Sequence, residues 1–378
     1  YKSYKKLKTL FKGVEGEMVE EWRLLYLPEC DLVDTVALGG PSVERQKENP
    51  MGLTVVGFKE TGISLGYFQD IDTEVDLEKC KEHGVRVIRR LGVGGGTIFV
   101  DKNASMAVGL LYYDNFFPDM DTAFQKAGKA IVEAYKKLGV KDPWYKHIGD
   151  VKVGDRKITG FGFAQVFEIT LGNTILSIGE PDMELFAKVA KIPPEKFSDK
   201  KAKSVSEWVT SIEAETGRIP SKEEVRDAFA EAFEEVIGIR LVEGELTEEE
   251  EAIRQKWRAM ATSDEHTFKI SSARRFQNVK DDQTLLFARF KGRKLIVSHV
   301  LVDGKGKIND VMFSGDFYAR PDTYLWDMEK SLVGLNIRNE NKLLEKIKET
   351  YNKPGWEIPM VEPEDFLTAI NLAAEQID

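Results

Sequence analysis

The stretch at residues 89–101 limits the fold and the function of this chain more than any other feature. Its sequence is Arg-Arg-Leu-Gly-Val-Gly-Gly-Gly-Thr-Ile-Phe-Val-Asp, so two arginines enter a glycine-rich turn and a β-branched, aromatic strand leaves it. Glycine lacks a Cβ, so the backbone N–H groups of such a turn can face an anion. The arginines add fixed positive charge that suits phosphate or carboxylate. A flexible turn beside an ordinary basic pair fits this stretch equally well.

A second stretch, at residues 149–160, is needed to interpret the first. The glycine turn is not a Walker loop, because no Gly-Lys-Ser/Thr follows it. It is not a Rossmann fingerprint either, because Thr97 stands where the last glycine belongs. The second stretch predicts a β-hairpin with Gly154 and Asp155 in the turn and Lys157 at the start of the return strand. A single lysine after a turn is most often only a solvated side chain.

Taken together, the two stretches resemble the signature of the lipoate–protein ligases, within the wider biotin/lipoate ligase family. In that signature, Arg-Arg-x-x-Gly-Gly-Gly-x-x-x-x-Asp is followed at a distance by Asn-Asp, a short turn and Lys-Ile-Ser-Gly. This chain has three residues rather than two between Arg90 and Gly94, and Gly149 replaces the asparagine. The family's Gly-Arg-x-Gln-Asn step is also altered, since Tyr67 replaces its arginine and Asp70 its asparagine.

The resemblance implies roles for the residues of these motifs. Lys157 is the implied catalytic lysine, which reaches both the acyl carboxylate and the α-phosphate of ATP. Asp150 is the implied Mg²⁺ ligand, because a hard carboxylate oxygen suits that cation. The implied ATP contacts are Arg89, Arg90, Gly94, Gly95, Gly96, Thr97, Ile98, Phe99 and Lys157. The implied lipoate contacts are Gly66, Gln69, Gly95, Lys157, Gly160 and Ala164.

A predicted buried strand at residues 106–113 also bears on the acyl site. Small residues at Ala107 and Gly109 leave room against one face, which suits a slot for a slender aliphatic chain. Packing against a neighbouring helix explains these small residues equally well.

The resemblance implies an α+β fold of the biotin/lipoate ligase type, which is class II synthetase-like. We expect a mixed, largely antiparallel sheet with helices, and a small α+β accessory domain at the C-terminus, which is a separate polypeptide in some family members. The predicted domains are an N-terminal arm at 1–18, a catalytic adenylating and acyl-transfer domain at 19–240, an acidic helical linker at 241–267 and the accessory domain at 268–378.

Local patterns predict several elements of this fold. Runs at 53–58 and 63–68 predict a hairpin, and Asp121 is expected to cap a helix. A helix expected within 34–46 is interrupted by a Gly-Gly-Pro sequence. Thr247 and Glu250 form a capping box that predicts the start of a helix. Trp257 lies on this helix and is expected to anchor it to a neighbouring element. The stretch at 200–209 resembles the family's loop over the adenylate.

Composition excludes other classes of function. The formal net charge of −10 argues against nucleic acid as a partner. The two cysteines form no disulfide framework, which fits a reducing cytoplasm. No apolar run approaches the length of a membrane span, and the four histidines lack metal-ligand spacing. We therefore expect a cytoplasmic protein without membrane or nucleic-acid partners.

The function implied by the resemblance is that of an ATP-dependent lipoate–protein ligase. Such an enzyme activates lipoate or octanoate as acyl-AMP and transfers it to a lysine of a carrier, either the lipoyl domain of a 2-oxoacid dehydrogenase E2 or a glycine cleavage H-like protein. Two alternatives stay open, an ATP-independent octanoyl or lipoyl transferase and a non-catalytic relative that binds lipoyl carriers. The related octanoyltransferases pass the acyl group through a cysteine or use a Lys/Cys pair, and no cysteine follows Cys80.

Overall fold

A computed structural model of the chain describes residues 19–44, 52–191 and 208–377. The predicted arm at 1–18 and most of the predicted adenylate loop lie outside the described residues. The strands are β1 (Glu20–Cys30), β2 (Gly52–Phe58), β3 (Gly62–Leu65), β4 (Arg86–Arg89), β5 (Ile98–Val100), β6 (Ser105–Tyr113), β7 (Pro143–Lys146), β8 (Asp150–Val153), β9 (Arg156–Val166), β10 (Ile169–Ser177), β11 (Ile239–Glu243), β12 (Gln283–Lys291), β13 (Leu295–Asp303) and β14 (Ile308–Gly315). The α-helices are α1 (Asp34–Ala37), α2 (Gly40–Glu44), α3 (Ile71–Glu74), α4 (Leu77–Glu82), α5 (Met120–Lys137), α6 (Met183–Val189), α7 (Ile212–Thr216), α8 (Lys222–Phe233), α9 (Glu248–Ala261), α10 (Asp264–Thr267), α11 (Ser272–Arg275), α12 (Thr323–Leu332), α13 (Glu340–Tyr351) and α14 (Pro363–Ala374).

The main sheet has eight strands in the order β11-β1-β2-β6-β10-β9-β8-β7. The pairings of β1 with β11 and with β2 are parallel, and the other pairings are antiparallel. This confirms the predicted mixed, largely antiparallel sheet. Alternate residues of a strand face opposite sides of the sheet, and one side, which includes Val108 and Leu110, is covered by α5 and α8.

The other side of the main sheet is partly covered by a second sheet, in the order β4-β3-β5. Ile88 and Val100 of this sheet share a buried cluster with Val56 and Ala107 of the main sheet. The glycine turn connects β4 to β5, so the second sheet holds that turn against the open side of the main sheet.

The predicted hairpin of 53–58 with 63–68 is wrong. β2 pairs with β1 on one edge and with β6 on the other, so it has no free edge for β3, which pairs with β4 and β5 instead. The helix expected to begin at Asp121 is α5, but its N-cap is Asp119, whose carboxylate accepts the N–H of Thr122. The helix expected within 34–46 is divided into α1 and α2 by Gly39.

The acidic helix α9 packs on α1 and α2, and its predicted capping box of Thr247 and Glu250 is confirmed. Arg254 and Arg258 both pair with the buried carboxylate of Asp34. The Nε1 of Trp257 donates to Glu44 at 2.6 Å, as the expected anchor of this helix. Because these contacts fix α9, the chain enters its C-terminal part from a defined direction.

The C-terminal part is a three-stranded antiparallel sheet, β12-β13-β14, packed with α12, α13 and α14. Its buried cluster also contains Tyr67 and Phe68 from the N-terminal part. The two parts of the chain therefore share one hydrophobic core at this junction. In the described ranges, no helix combines the length and the apolar character that crossing a bilayer requires.

Candidate functional site

Arg89 lies under the glycine turn rather than facing a ligand. Its side chain is fully buried, and its guanidinium donates to backbone carbonyls. The acceptors are the carbonyl oxygens of Gly66, Tyr67, Gln69, Thr267 and Ile270. A phosphate contact from Arg89, as the sequence led us to expect, is not available in this arrangement because its donors are occupied inside the protein.

Arg90 braces the turn itself. It is 8% exposed, and its guanidinium donates to the carbonyl oxygens of Gly94 at 2.9 Å and Gly96 at 2.8 Å. A further bond reaches the carbonyl of Ser64 in the neighbouring strand β3. The expected phosphate contact is again replaced by contacts within the protein, so both arginines set the shape of the turn.

Two glycines are required here because backbone approaches backbone. A Cβ on Gly66 would lie 1.9 Å from the carbonyl oxygen of Gly95, and a Cβ on Gly94 would lie 2.2 Å from that of Phe317. Gly95 also has a φ of 91°, which favours glycine. The N–H groups of Gly95 and Gly96 bond to no acceptor among the described residues. These two groups can therefore face an anion.

Gln69 and Thr97 connect this turn to α3. Gln69 is fully buried, accepts the N–H of Gly66 at 2.8 Å and donates to the hydroxyl of Thr97 at 3.0 Å. Thr97 in turn donates to the carboxylate of Glu74 at 2.7 Å. Beyond Thr97, the ring of Phe99 stacks on Phe186 with the ring centroids 5.0 Å apart.

Lys157 points its ammonium onto the open side of the main sheet. Its Nζ lies 2.5 Å from the carboxylate of Asp150, and the two side chains are 26% and 29% exposed. A Cβ on Gly160 would lie 2.2 Å from this Nζ, so the lysine folds over the bare backbone of residue 160. The ring of Trp208 lies 5.8 Å from the same ammonium.

The strand positions that share a side with Gly160 form a floor, which is made of small residues along β9. Cross-strand pairing aligns Gly160, Gly162 and Ala164 of β9 with Ile175, Asn173 and Leu171 of β10, and these with Ala107, Gly109 and Leu111 of β6. Gly162 and Asn173 are exposed, and a Cβ on Gly162 would meet no described atom within 4 Å. The floor is therefore open above Gly162. Ala164 lies about 13 Å beyond Gly160 along the strand.

The two motifs lie on one side of the main sheet. Ala107, at one end of the floor, packs with Val100 of the second sheet. The second sheet carries the glycine turn, and the floor carries Lys157 at its other margin. At the expected slot, Ala107 is 3% exposed, and a Cβ on Gly109 would lie 2.4 Å from the hydroxyl oxygen of Thr54. Packing within the protein therefore accounts for these two small residues, and the open part of the floor lies at Gly162.

Asp150 is the described residue that best fits the implied Mg²⁺. Among the described residues, no group of three His, Cys, Asp or Glu side chains could hold a metal ion. Mg²⁺ commonly takes one or two carboxylates and completes its shell with phosphate oxygens and water. The single carboxylate of Asp150 is compatible with this coordination of Mg²⁺.

Neither cysteine is suited to carry an acyl group. Cys30 and Cys80 are 3% and 2% exposed. Burial raises the pKa of Cys30 to about 12 and that of Cys80 to about 11. The thiolate is the nucleophilic form, so both thiols are inert near neutral pH.

One group of residues near the turn was not predicted from the sequence. The hydroxyl of Tyr67 donates to Asp322 at 2.5 Å, and Lys269 lies 4.8 Å from the ring of Tyr67. Phe68 stacks on Phe317 with the ring centroids 5.2 Å apart. The only sign of these contacts in the sequence was that Tyr67 replaces the arginine of the family motif. The side chain at this position holds the C-terminal part in place.

Two curated relatives are similar to this chain. Lipoate-protein ligase A subunit 1 of Thermoplasma acidophilum is 29% identical over 52% of this chain and 76% of the relative. Octanoyltransferase LipM of Geobacillus kaustophilus is 27% identical over 66% of this chain and 99% of the relative. These two relatives bear the names of two enzyme types, a ligase and a transferase.

Solved structures share the fold. A bi-partite lipoate protein ligase from Thermoplasma acidophilum, reported with its E2 lipoyl domain, is 26% identical, has a TM-score of 0.55 and covers 66% of this chain and 97% of its own. LipL1 of P. falciparum, in complex with lipoate, is 16% identical, has a TM-score of 0.60 and covers 89% of this chain and 95% of its own. The second match extends over most of the chain and confirms the fold.

The family model for the lipoyl protein ligase A/B catalytic domain matches residues 43–234. These residues include the glycine turn, the floor and the hairpin of Lys157. The chain therefore belongs to the lipoyl protein ligase A/B catalytic domain family, the relationship to which both of its sequence motifs pointed.

Proposed function

We propose that this protein is an ATP-dependent lipoate–protein ligase. The observation that carries the proposal is the ammonium of Lys157, held by Asp150 over the bare backbone of Gly160 and at the margin of a floor that is open above Gly162. The floor suits a slender aliphatic chain, and the ammonium suits the carboxylate at its end. A likeness to a lipoate-protein ligase A structure with bound ATP supports the choice of nucleotide.

Adenylation overcomes the poor leaving group of a carboxylic acid. A carboxylate oxygen of lipoate attacks the α-phosphorus of ATP, the bond from that phosphorus to the bridging oxygen breaks, and pyrophosphate leaves. Both reactants are anions, so the site must stabilise negative charge that gathers in the transition state. Lys157 and the N–H groups of Gly95 and Gly96 are the groups that we assign to this task.

Mg²⁺, when bound beside Asp150, would neutralise phosphate charge. Asp150 also orients the ammonium of Lys157, from which it lies 2.5 Å away.

In the transfer step, the amine of a carrier lysine attacks the carbonyl carbon of the acyl-adenylate. The bond to the phosphate oxygen breaks, AMP leaves, and the amine loses a proton as the amide forms. The free amine has a pKa near 10.4, so deprotonation must accompany the attack. By analogy with the Thermoplasma acidophilum ligase and its E2 lipoyl domain, we propose a lipoyl domain as the carrier.

An ATP-independent octanoyltransferase is the second candidate, because the LipM relatives match nearly their whole length. Such an enzyme needs a nucleophile that accepts the acyl group. The two cysteines are buried and their thiol pKa values are raised, which disfavours a thioester intermediate in this chain.

The two candidates differ in their need for ATP. We expect the purified protein to release pyrophosphate from ATP when lipoate or octanoate is added, and to lipoylate an E2 lipoyl domain only with ATP. Acyl transfer from an octanoyl carrier protein without ATP, with no release of pyrophosphate in the presence of lipoate, would instead establish the transferase.

A further inference from the structure

Strand β7 ends the main sheet, and its outward edge pairs with no strand among the described residues. Lys146 of β7 lies opposite Asp150, and Asp150 lies opposite Gly160. Directly opposed residues share one side of a sheet, so Lys146 lies on the side that carries the Lys157 ammonium. Trp144, two residues earlier in the same strand, shares that side.

Trp144 is an exposed aromatic side chain with a fixed orientation. It is 43% exposed, although its Nε1 donates to the carbonyl of Gly154 at 3.0 Å. The ammonium of Lys152 lies 5.7 Å from the centroid of its ring. Ile148, two residues after the end of β7, is 52% exposed. Tryptophan is enriched among the residues that dominate protein interfaces, and a ring already held in position loses little entropy on binding.

The charge of this edge differs from that of the whole chain. Residues 141–157 contain five Lys or Arg residues and three Asp residues, whereas the chain as a whole carries a formal net charge of −10. The cationic residues are Lys141, Lys146, Lys152, Arg156 and Lys157. Arg156 pairs with Glu215, Lys157 pairs with Asp150, and His147 lies 3.1 Å from Asp121, whereas Lys146 and Lys152 form no ion pair with a described residue. These two lysines therefore supply the positive charge that favours approach by an acidic partner.

The edge is also within reach of the candidate site. β7 and β9 are two strand spacings apart in the sheet, which corresponds to about 10 Å. A standard protein interface covers about 800 Å² on each partner. A folded domain seated on this edge therefore extends to Gly160 and can present a lysine to the acyl group beside Lys157.

We propose that the edge formed by β7 and β8 is the docking surface for the acyl carrier, and that the carrier binds it through an acidic face beside its acceptor lysine. Trp144 is the apolar centre of this surface, and Lys146 and Lys152 are its cationic rim. This assignment rests on the proposed function, because only an enzyme that transfers an acyl group requires such a carrier.

The test measures binding and does not depend on turnover. The full chain is titrated with an unlipoylated E2 lipoyl domain of net negative charge, and the Kd is measured by calorimetry at low ionic strength. We expect Trp144→Ala and Lys146→Glu each to raise the Kd about tenfold or more. We also expect added salt to weaken binding by the unaltered protein more than binding by Lys146→Glu.

Matched controls are available elsewhere in the chain. Phe167→Ala removes an aromatic side chain that is 63% exposed at the far end of β9, and Lys342→Glu reverses an exposed charge on α13. Both should leave the Kd unchanged. Equal Kd values for all four variants, or no binding by the unaltered protein, would overturn the docking assignment. Absence of lipoate-dependent pyrophosphate release would overturn the ligase function alone, because the binding measurement does not involve ATP.

Discussion

The carbonyl oxygen of Phe317 lies so close to the Cα of Gly94 that a Cβ on residue 94 would be 2.2 Å from it. The first glycine of the triple-glycine turn is therefore needed because any larger residue would collide with the backbone of the C-terminal part. Phe68, which stacks on Phe317, is held at the same junction. The turn and the accessory part are consequently one structural unit, and changes at their contact should alter both stability and activity.

Replacing Gly94 with alanine should push Phe317 away from the turn. We expect the change to cost about 1–3 kcal/mol and to lower the thermal unfolding midpoint by several degrees. Differential scanning calorimetry measures this. In Gly96→Ala the nearest atom to the new Cβ is 3.9 Å away, so this control should unfold close to the unaltered protein. Equal unfolding midpoints for both variants would contradict the close contact.

The hydroxyl of Tyr67 should act as a link between the two parts of the chain. Tyr67→Phe removes the donor to Asp322, and we expect it to cost about 1–3 kcal/mol because the carboxylate loses a partly buried partner. The KM for lipoate should change little if this role is structural. Tyr113→Phe is the control, since its hydroxyl bonds to no described residue. A large rise in the KM for lipoate without loss of stability would assign Tyr67 to the substrate site instead.

Arg89 should stabilise the folded protein, so replacing it should lower the thermal unfolding midpoint and not only the affinity for the nucleotide. Arg89→Lys replaces a planar group that has five N–H donors with an ammonium that has three. Some buried carbonyl oxygens then lose their donors, and each unsatisfied carbonyl destabilises the fold by about 1–3 kcal/mol. We expect a clear fall in the thermal unfolding midpoint. Arg86→Lys alters an exposed arginine of the same strand, which bonds to Glu60, and should be nearly neutral. A normal midpoint for Arg89→Lys with a raised KM for ATP would restore the phosphate contact that the sequence suggested.

The cysteines should be irrelevant to catalysis. Because the pKa values of Cys30 and Cys80 are raised to about 12 and about 11, the reactive thiolate is scarce at pH 8 and increases only as the pH approaches those values. Iodoacetamide at pH 8 should therefore label neither residue in the folded protein and leave activity intact, as mass spectrometry and a lipoylation assay can determine. Labelling in denaturant serves as the control. Inactivation that follows modification of one cysteine would favour a thioester route.

Local sequence rules predicted the elements whose signals are themselves local. The capping box at Thr247 and the two-residue turn at Gly154 and Asp155 depend on neighbouring residues, and both are present. The pairing of β2 is different, because it is decided by β1 and β6, which lie far from it in the sequence. A run rich in β-branched and apolar residues predicts a strand and does not specify the strands with which it pairs.

The candidate site shows the same limit. The motifs located Lys157, Asp150 and the glycine turn, because spacing along the chain is enough to recognise them. A pair of arginines beside glycines is typical of a phosphate clamp, and the sequence gives no sign that Arg89 and Arg90 donate to groups within the protein. Their acceptors are backbone carbonyls, which no sequence pattern displays. The contact of Gly94 with Phe317 also involves a backbone carbonyl, so the sequence did not predict it.

The ammonium of Lys157 is the group on which the proposed adenylation most directly depends. The decisive measurement is lipoate-dependent release of pyrophosphate from ATP by Lys157→Ala, with the unfolding midpoint recorded in parallel. Lys129→Ala, an exposed lysine on α5, is the control and should keep full activity. We predict that Lys157→Ala remains folded and loses at least about a hundredfold in rate, as expected when a charge that stabilises the transition state is removed. Pyrophosphate release at the unaltered rate by a folded Lys157→Ala protein would contradict the assignment.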